Sequence, residues 1–347
     1  MPIILAFESS CDETAVAVVA DGHRVLAERV ASQAADFAAW GGVVPELAAR
    51  GQVAFLPGLV EAVLHEAGLR GEDLDAIAIA AWPGLIGSLL CGLTCAKMLA
   101  ARWGKPLIAV DHVQAHLAAI HLGRDRVPYP LLGLVASGGH SHYYHVQGPG
   151  DLTLLGGTID DAAGEAYDKV AAMLELGYPG GPVVDQLAAK GDPARFPLPR
   201  PLLRDSRLAL SFAGIKTALL YQIRGPQGRD PLRLDEQGRS DACAAFQAAA
   251  VDCLAGKLCQ AAERAGVAAI AVGGGVACNR GLRARLAADC AARGWELLLP
   301  EPQHCADNAA MVGALAAPLL AQGRTAPLDL LPLPSGAAGP RAATQRS

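Results

Sequence analysis

The chain has 347 residues, 52% of them apolar but only 5% aromatic, with 39 glycines and a formal net charge of −5. That length accommodates two domains or lobes with cores of Ala, Val, Leu and Ile, and the acidic balance excludes a strong stand-alone nucleic-acid binder acting through bulk charge. Nine cysteines without a C-x-x-C pair exclude a disulfide framework and point to reduced thiols in a cytoplasmic protein. The apolar stretches are broken by Gly, Pro or charge, which argues against a membrane span, and MPIILAFESS lacks the basic region of a signal peptide.

Residues 3–8 and 14–20 are predicted strands around the polar turn SSCDE. Asp12 in that turn is a candidate for orienting an amine or taking its proton, and Cys11 is expected to be structural, because spacing assigns it no His–Asp pair. Residues 74–81 form a strand running into WPGLIGSLL, a glycine turn that opens a helix. The strand 107–110 ends in Asp111, followed by His112 and His116. Four residues apart on a helix, two imidazoles share a face and can hold one metal ion, given a third ligand. The segment HVQAH lacks the glutamate of H-E-x-x-H, so the ion would hold and polarise a substrate and would not activate water for proteolysis.

The theme then recurs. Strands 131–136 and 142–147 flank the turn SGGHS, strand 267–272 runs into GGGVACNRGL and a helix, and a short strand follows at 296–299. This order predicts an α/β fold of two pseudo-symmetric lobes with a central cleft. The first lobe spans 1–120 and is completed by a C-terminal helix near 308–325; the second spans 121–307, with an insertion near 157–240. A tail from Pro332 is expected to be disordered. The repeat places Asp307 at the equivalent strand end of the opposite lobe, as the third metal ligand, with His304 and Asp111 as rivals. Ser137, Gly138 and Gly139 offer an anion nest of backbone N–H groups. Asp168 and Asp185 are candidates for ribose hydroxyls, and Asn279 for a helix cap or a base edge. Arg200, Arg204 and Arg207, and Arg280, Arg283 and Arg285, form local basic clusters.

Read in order, ESSCDET at 8–14, GGVVPELA at 41–48, PGLIGSLL at 83–90, HVQAH at 112–116, SGGH at 137–140, DDAAGEAYDKVA at 160–171, GYPGGP at 177–182, LSFAGIKTAL at 210–219, GGVACNRGLR at 274–283 and CADNAAM at 305–311 resemble the tRNA N6-adenosine threonylcarbamoyltransferase family, TsaD. The resemblance covers residues 3–325. It implies an actin-like ATPase (ASKHA, RNase H-like) fold and transfer of a threonylcarbamoyl group from threonylcarbamoyl-AMP to the exocyclic amine of the adenosine just 3′ of the anticodon in tRNAs reading A-starting codons. It implies metal ligands at His112, His116 and Asp307, with iron (Fe2+) expected and zinc as the alternative. It implies nucleotide contacts at Val135, Ala136, Ser137, Gly138, Gly139, Asp168, Gly181, Asp185 and Asn279. Asp12 and Glu13 then stand where the incoming amine is positioned. Implied partners are tRNA, an inactive paralogue (TsaB-like) and a small P-loop ATPase (TsaE-like). Departures from the family pattern fall at Phe37 and Trp40 (in place of H-x-x-Y before Gly-Gly), Gly51 and Gln52 (R-D-H), Trp82 (G-P-G-L), and Gln114 and Ala115 (H-x-E-G-H). Two other readings compete: a non-catalytic nucleotide-binding scaffold of the same fold, and a small-molecule carbamoyltransferase.

Overall fold

A run of apolar residues with almost no polar interruption, IILAFE, forms strand β1 (Ile3–Glu8) at the centre of a five-stranded sheet. Such strands are covered on both faces. β2 (Glu13–Ala20) pairs with β1 antiparallel, and β3 (Arg24–Ser32) pairs with β2 in the same sense. After α1 (Ala34–Phe37) and α2 (Pro45–Ala67), β4 (Ala76–Trp82) lies parallel to β1. α3 (Ile86–Trp103), closed by the left-handed Gly104, leads to β5 (Leu107–Asp111), parallel to β4, and then to α4 (His112–Ala118). The computed structural model describes residues 2–37 and 40–335.

The second sheet repeats the plan. β6 (Leu131–Ala136), β7 (Ser141–Gly148) and β8 (Asp151–Thr158) form an antiparallel meander. Next come α5 (Ala163–Met173), α6 (Gly180–Ala188), the two-residue β9 (Ala209–Leu210), α7 (Ala213–Arg224) and α8 (Glu236–Ala265). β10 (Ala269–Gly273), α9 (Arg280–Arg293) and β11 (Glu296–Leu298) complete it, with β10 parallel to both β6 and β11. The strand orders are β3-β2-β1-β4-β5 and β8-β7-β6-β10-β11, the latter with β9 added beyond β8. The third strand of each meander, β3 and β8, lies beyond the two-stranded hairpins expected from sequence. The expected insertion holds α5, α6, β9 and α7.

The chain divides into two units, one containing residues up to Val127 and from Asp307 onward, the other Pro128–Ala306. The first unit regains the chain through α10 (Ala309–Ala321). Asp307 therefore lies in the same unit as the histidines, whereas the repeat assigned it to the opposite lobe. The reason is local: Asn308 caps α10, its Oδ1 accepting from Met311 N at 2.8 Å, and Asp307 immediately precedes that cap.

Side-chain size separates the two faces of the first sheet. Ala6, Ala15, Ala17, Ala76, Ala78 and Ala80, flanked by Ile4, Val19, Ile108 and Val110, turn toward α4 and α10, while Leu5, Phe7, Val16, Val18, Ile77 and Ile79 turn toward α2 and α3. Strand alternation sorts these residues, and the alanine face admits α10 at close range. A Cβ at Gly313 would stand 2.6 Å from a Val19 methyl. The second unit is built around α8, whose apolar face packs with α5, α7, β6 and β10 residues such as Tyr167, Ile215, Leu132 and Ile270.

Two helices, α2 and α8, are long and apolar enough to cross a membrane by length and composition, contrary to the sequence expectation. The apolar window of α8 is 83% buried within the protein, as in a core helix. The C-terminal segment expected to be disordered from Pro332 is hydrogen bonded at its start, Leu333 N to Ala81 O and Ser335 N to Gly84 O. Residues 336–347 of it lie outside the described residues.

Candidate metal centre

β1, β5, α4 and the residue before α10 converge on one cluster in the first unit. Asp111 ends β5 and caps α4, its Oδ1 accepting from Val113 N at 2.8 Å and Gln114 N at 3.1 Å. This cap starts the helix at His112, and one turn later His116 falls on the same face. The rings approach edge to face at a centroid distance of 4.6 Å. Asp307 Oδ1 lies 3.7 Å from His112 Nε2 and 3.2 Å from His116 Nε2. One ligand atom from each of the three residues falls within 4.8 Å of the others.

The donor set fits a divalent ion. His116 is fully buried and neither ring nitrogen makes a hydrogen bond of good geometry, an orphaned polar group that costs stability in an apolar setting. Two imidazoles and one carboxylate with positions left for a substrate suit a catalytic divalent-metal site. Of the rival third ligands, Asp111 is committed to the helix cap, and His304 belongs to the second unit.

Glu8, which the sequence reading passed over, completes the cluster. It is fully buried, with Oε2 2.9 Å from His112 Nδ1 and Oε1 accepting from Ser10 N at 2.6 Å. Burial depresses the basicity of His112, but Glu8 and Asp307 outweigh it and push the imidazole up to about 10. The available signal was a single carboxylate closing an otherwise apolar strand.

Asp12 is buried and Glu13 half-buried at the mouth of the same turn. Burial, the Asp307 and Asp12 charges and a hydrogen bond to Asp12 push the Glu13 carboxyl up to about 9, with Ser32 opposing. Burial and the same carboxylates push the Cys11 thiol up, which removes thiolate character and fits its expected structural role. The turn is held from outside: Gln52 Nε2 donates to Cys11 O at 2.8 Å, and Ser9 Oγ donates to Ser88 O at 3.1 Å. Gly92 and Gly84 permit this approach of α3, since a Cβ there would meet Ser9 Oγ at 2.1 Å and Ser10 O at 2.6 Å. Several departures from the family pattern thus have packing roles. Gln52 holds the turn, a Cβ at Gly51 would collide with the Gln33 amide, Trp82 hydrogen bonds to Asp111, and Ala115 is buried against α10.

The second unit gathers the residues proposed for the nucleotide, and several are engaged internally. Val135 and Ala136 are buried at the end of β6, and Ser137 to His140 form a tight turn, Ser137 N to His140 O at 2.8 Å. Gly138 and Gly139 are exposed at its tip. Gly164 and Gly274 abut this turn, where a Cβ would reach Ser137 O at 2.7 Å and Ala136 O at 2.4 Å. Asp168 accepts from Gly180 N at 2.7 Å at the start of α6, beside Gly181. Asp185 pairs with Arg280 Nε at 2.7 Å. Asn279 caps α9 through Oδ1 to Leu282 N at 2.9 Å and donates to Gln247 Oε1 at 2.7 Å, the cap role of its two expected roles. The basic clusters are largely paired as well, Arg200 and Arg285 with Asp252 and Arg207 with Asp205.

The profile of the family described as TsaD, tRNA N6-adenosine threonylcarbamoyltransferase, matches residues 24–314. The chain belongs to this family. Curated relatives bearing the family's name include one from Syntrophobacter fumaroxidans, 49% identical over 90% of this chain and 93% of its own length. Another, from Sorangium cellulosum, is 47% identical over 95% of each chain. Among solved structures, T. kodakarensis HypF is similar with a TM-score of 0.61 at 16% identity, covering 95% of this chain and 49% of that one. Component A of the Acidaminococcus fermentans (R)-2-hydroxyglutaryl-CoA dehydratase is similar with a TM-score of 0.53 at 17% identity, over 92% of this chain and 100% of that one. At such identities the likeness concerns the fold, which is the two-lobed actin-like ATPase class that the TsaD resemblance implied.

Proposed function

We propose that this chain transfers the threonylcarbamoyl group of threonylcarbamoyl-AMP to the exocyclic amine of the adenosine 3′-adjacent to the anticodon in tRNAs reading A-starting codons. Family membership supplies the reaction class, and the observation that carries the reading is the buried His112–His116–Asp307 cluster beside the Asp12–Glu13 pair. In the reaction the amine nitrogen bonds to the carbamoyl carbon, the bond from that carbon to the phosphate oxygen breaks, AMP leaves and the amine loses a proton. Iron, or zinc in its place, held by the three ligands supplies a Lewis acid for the charge gathering on the donor. The hydrogen bond between Glu13 and Asp12, with burial pushing the Glu13 carboxyl up, supports Asp12 as the member of the pair that orients the amine and receives its proton. Gly138 and Gly139, exposed at the tip of the Ser137–His140 turn, support binding of the adenylate phosphate through their backbone.

The net charge of −5 and the ion-paired arginines support a composite tRNA surface made with partner proteins, a TsaB-like paralogue and a TsaE-like ATPase, in the cytoplasm. Exposed apolar residues on α2 and α3, Leu47, Phe55, Ile86 and Leu90 among them, support a protein partner on the first unit. The test is reconstitution with both partners, threonylcarbamoyl-AMP and unmodified tRNA, read by nucleoside mass spectrometry. Threonylcarbamoyladenosine formed by the wild-type protein and lost in Asp307→Ala supports the proposal; no product with the wild-type protein overturns the transfer, and full activity in Asp307→Ala overturns the role of the cluster.

A further inference from the structure

The Glu8 carboxylate has a defined pair of partners. Oε1 takes the backbone N–H of Ser10 at 2.6 Å and Oε2 faces His112 Nδ1 at 2.9 Å, with Ser10 Oγ at 3.2 Å from the same nitrogen. Glu8 is fully buried at the end of β1, so water does not substitute for either contact. The other ring nitrogen, His112 Nε2, is the one turned toward Asp307. The Glu8 carboxylate accepts hydrogen bonds, so His112 Nδ1 donates to it, and in the neutral ring Nε2 is the nitrogen left with a lone pair for a metal.

We propose that Glu8 is the positioning residue of the metal centre, setting the His112 tautomer so that Nε2 faces the ion. The inference rests on the metal-holding part of the proposed function and is independent of the transfer reaction. Its chemistry makes the isosteric change Glu8→Gln disruptive. The Ser10 N–H needs an acceptor and claims the amide oxygen. The amide NH2 then faces His112 Nδ1 and donates to it, so the ring proton moves to Nε2 and blocks the ligand position. A residue that merely filled space at Glu8 would tolerate this exchange.

The experiment uses the full chain, zinc as a redox-silent probe, and histidine 15N chemical shifts. In the wild-type protein His112 Nδ1 should carry a proton with or without zinc, and zinc should shift Nε2. In Glu8→Gln, Nδ1 should show the shift of an unprotonated nitrogen. Zinc affinity, measured by chelator competition, should fall by about 10- to 100-fold, as for other outer partners of ligating histidines. Ser10→Ala, which removes only the weaker contact, should change it by less than about threefold. Equal zinc affinity in wild type and Glu8→Gln overturns the role of Glu8. Zinc on Nδ1 of the wild-type protein also overturns it, and needs no variant to fold. A wild-type chain that binds no zinc or iron overturns the metal reading itself, a result distinct from the other two.

Discussion

The two units share one sheet order and spend their polar groups differently. In the first, the strand ends deliver His112, His116 and Asp307 into a cluster where buried nitrogens lack good hydrogen bonds. In the second, Asp168, Asp185 and Asn279 are engaged by a helix start, an arginine and a cap. Groups engaged in this way fix backbone geometry, whereas unsatisfied buried groups are tolerated where a ligand completes them. The comparison favours ion binding in the first unit, whereas Asp168, Asp185 and Asn279 in the second shape backbone turns and helix starts.

The sharpest way to break that contrast is to remove a ligand. His116→Ala or Asp307→Ala should lower metal affinity by more than about 100-fold, beyond the loss from an outer partner, and abolish transfer with it. Metal titration of the purified variants checks this. Affinity of the intact site should rise with pH and level off only near pH 10, because His112, held protonated below that by Glu8 and Asp307, must lose a proton before it ligates.

A packing change away from the ligands should act on stability. Gly313→Val would overlap Val19 and cost about 1–3 kcal/mol, seen as a lowered unfolding midpoint in denaturant. In the second unit, Asn279→Ala should cost about 1–2 kcal/mol as a lost cap. If Asn279 acts through the cap alone, adenylate affinity at a temperature where the variant stays folded should be unchanged, and a large loss there would give the residue a direct ligand role.

The smallest effect concerns Glu13. Its carboxyl is raised in the folded chain from 4.5 to about 9, so the native state holds a proton that the unfolded state releases in that window. Stability therefore falls as pH rises from about 4.5 to 9, by linkage. Glu13→Gln should remove this dependence and stabilise the metal-free protein at pH 8, with the gain vanishing near pH 4.5. Bound metal should shrink the gain, because it neutralises Asp307, one of the charges that raise Glu13.

Much of the site was legible because its residues carry their own geometry. HVQAH after an apolar strand states a strand end and two imidazoles on one helical face, and both appear in the structure, which adds the Asp111 cap that starts the helix. The glycine turns after β6 and β10 were legible for the same reason. Glu8 was not, because a carboxylate directly followed by Ser9, Ser10 and the rest of a polar turn looks like part of the turn; only the distance to His112, 104 positions away, reveals its use. The internal partners of Asp168 and Asp185 were hidden similarly, since Gly180 and Arg280 come from other elements.

The sequence by itself determined the α/β repeat, the family and the residues of the candidate metal cluster, because strand and helix periodicities and ligand types are local properties of the chain. Tertiary structure alone decided that Asp307 joins the histidines within one unit, that Glu8 stands behind His112, and that the cores split into an alanine face and a large-residue face. Those outcomes depend on which distant segments a sheet brings side by side, and hydrogen-bond partners across such distances are set by packing.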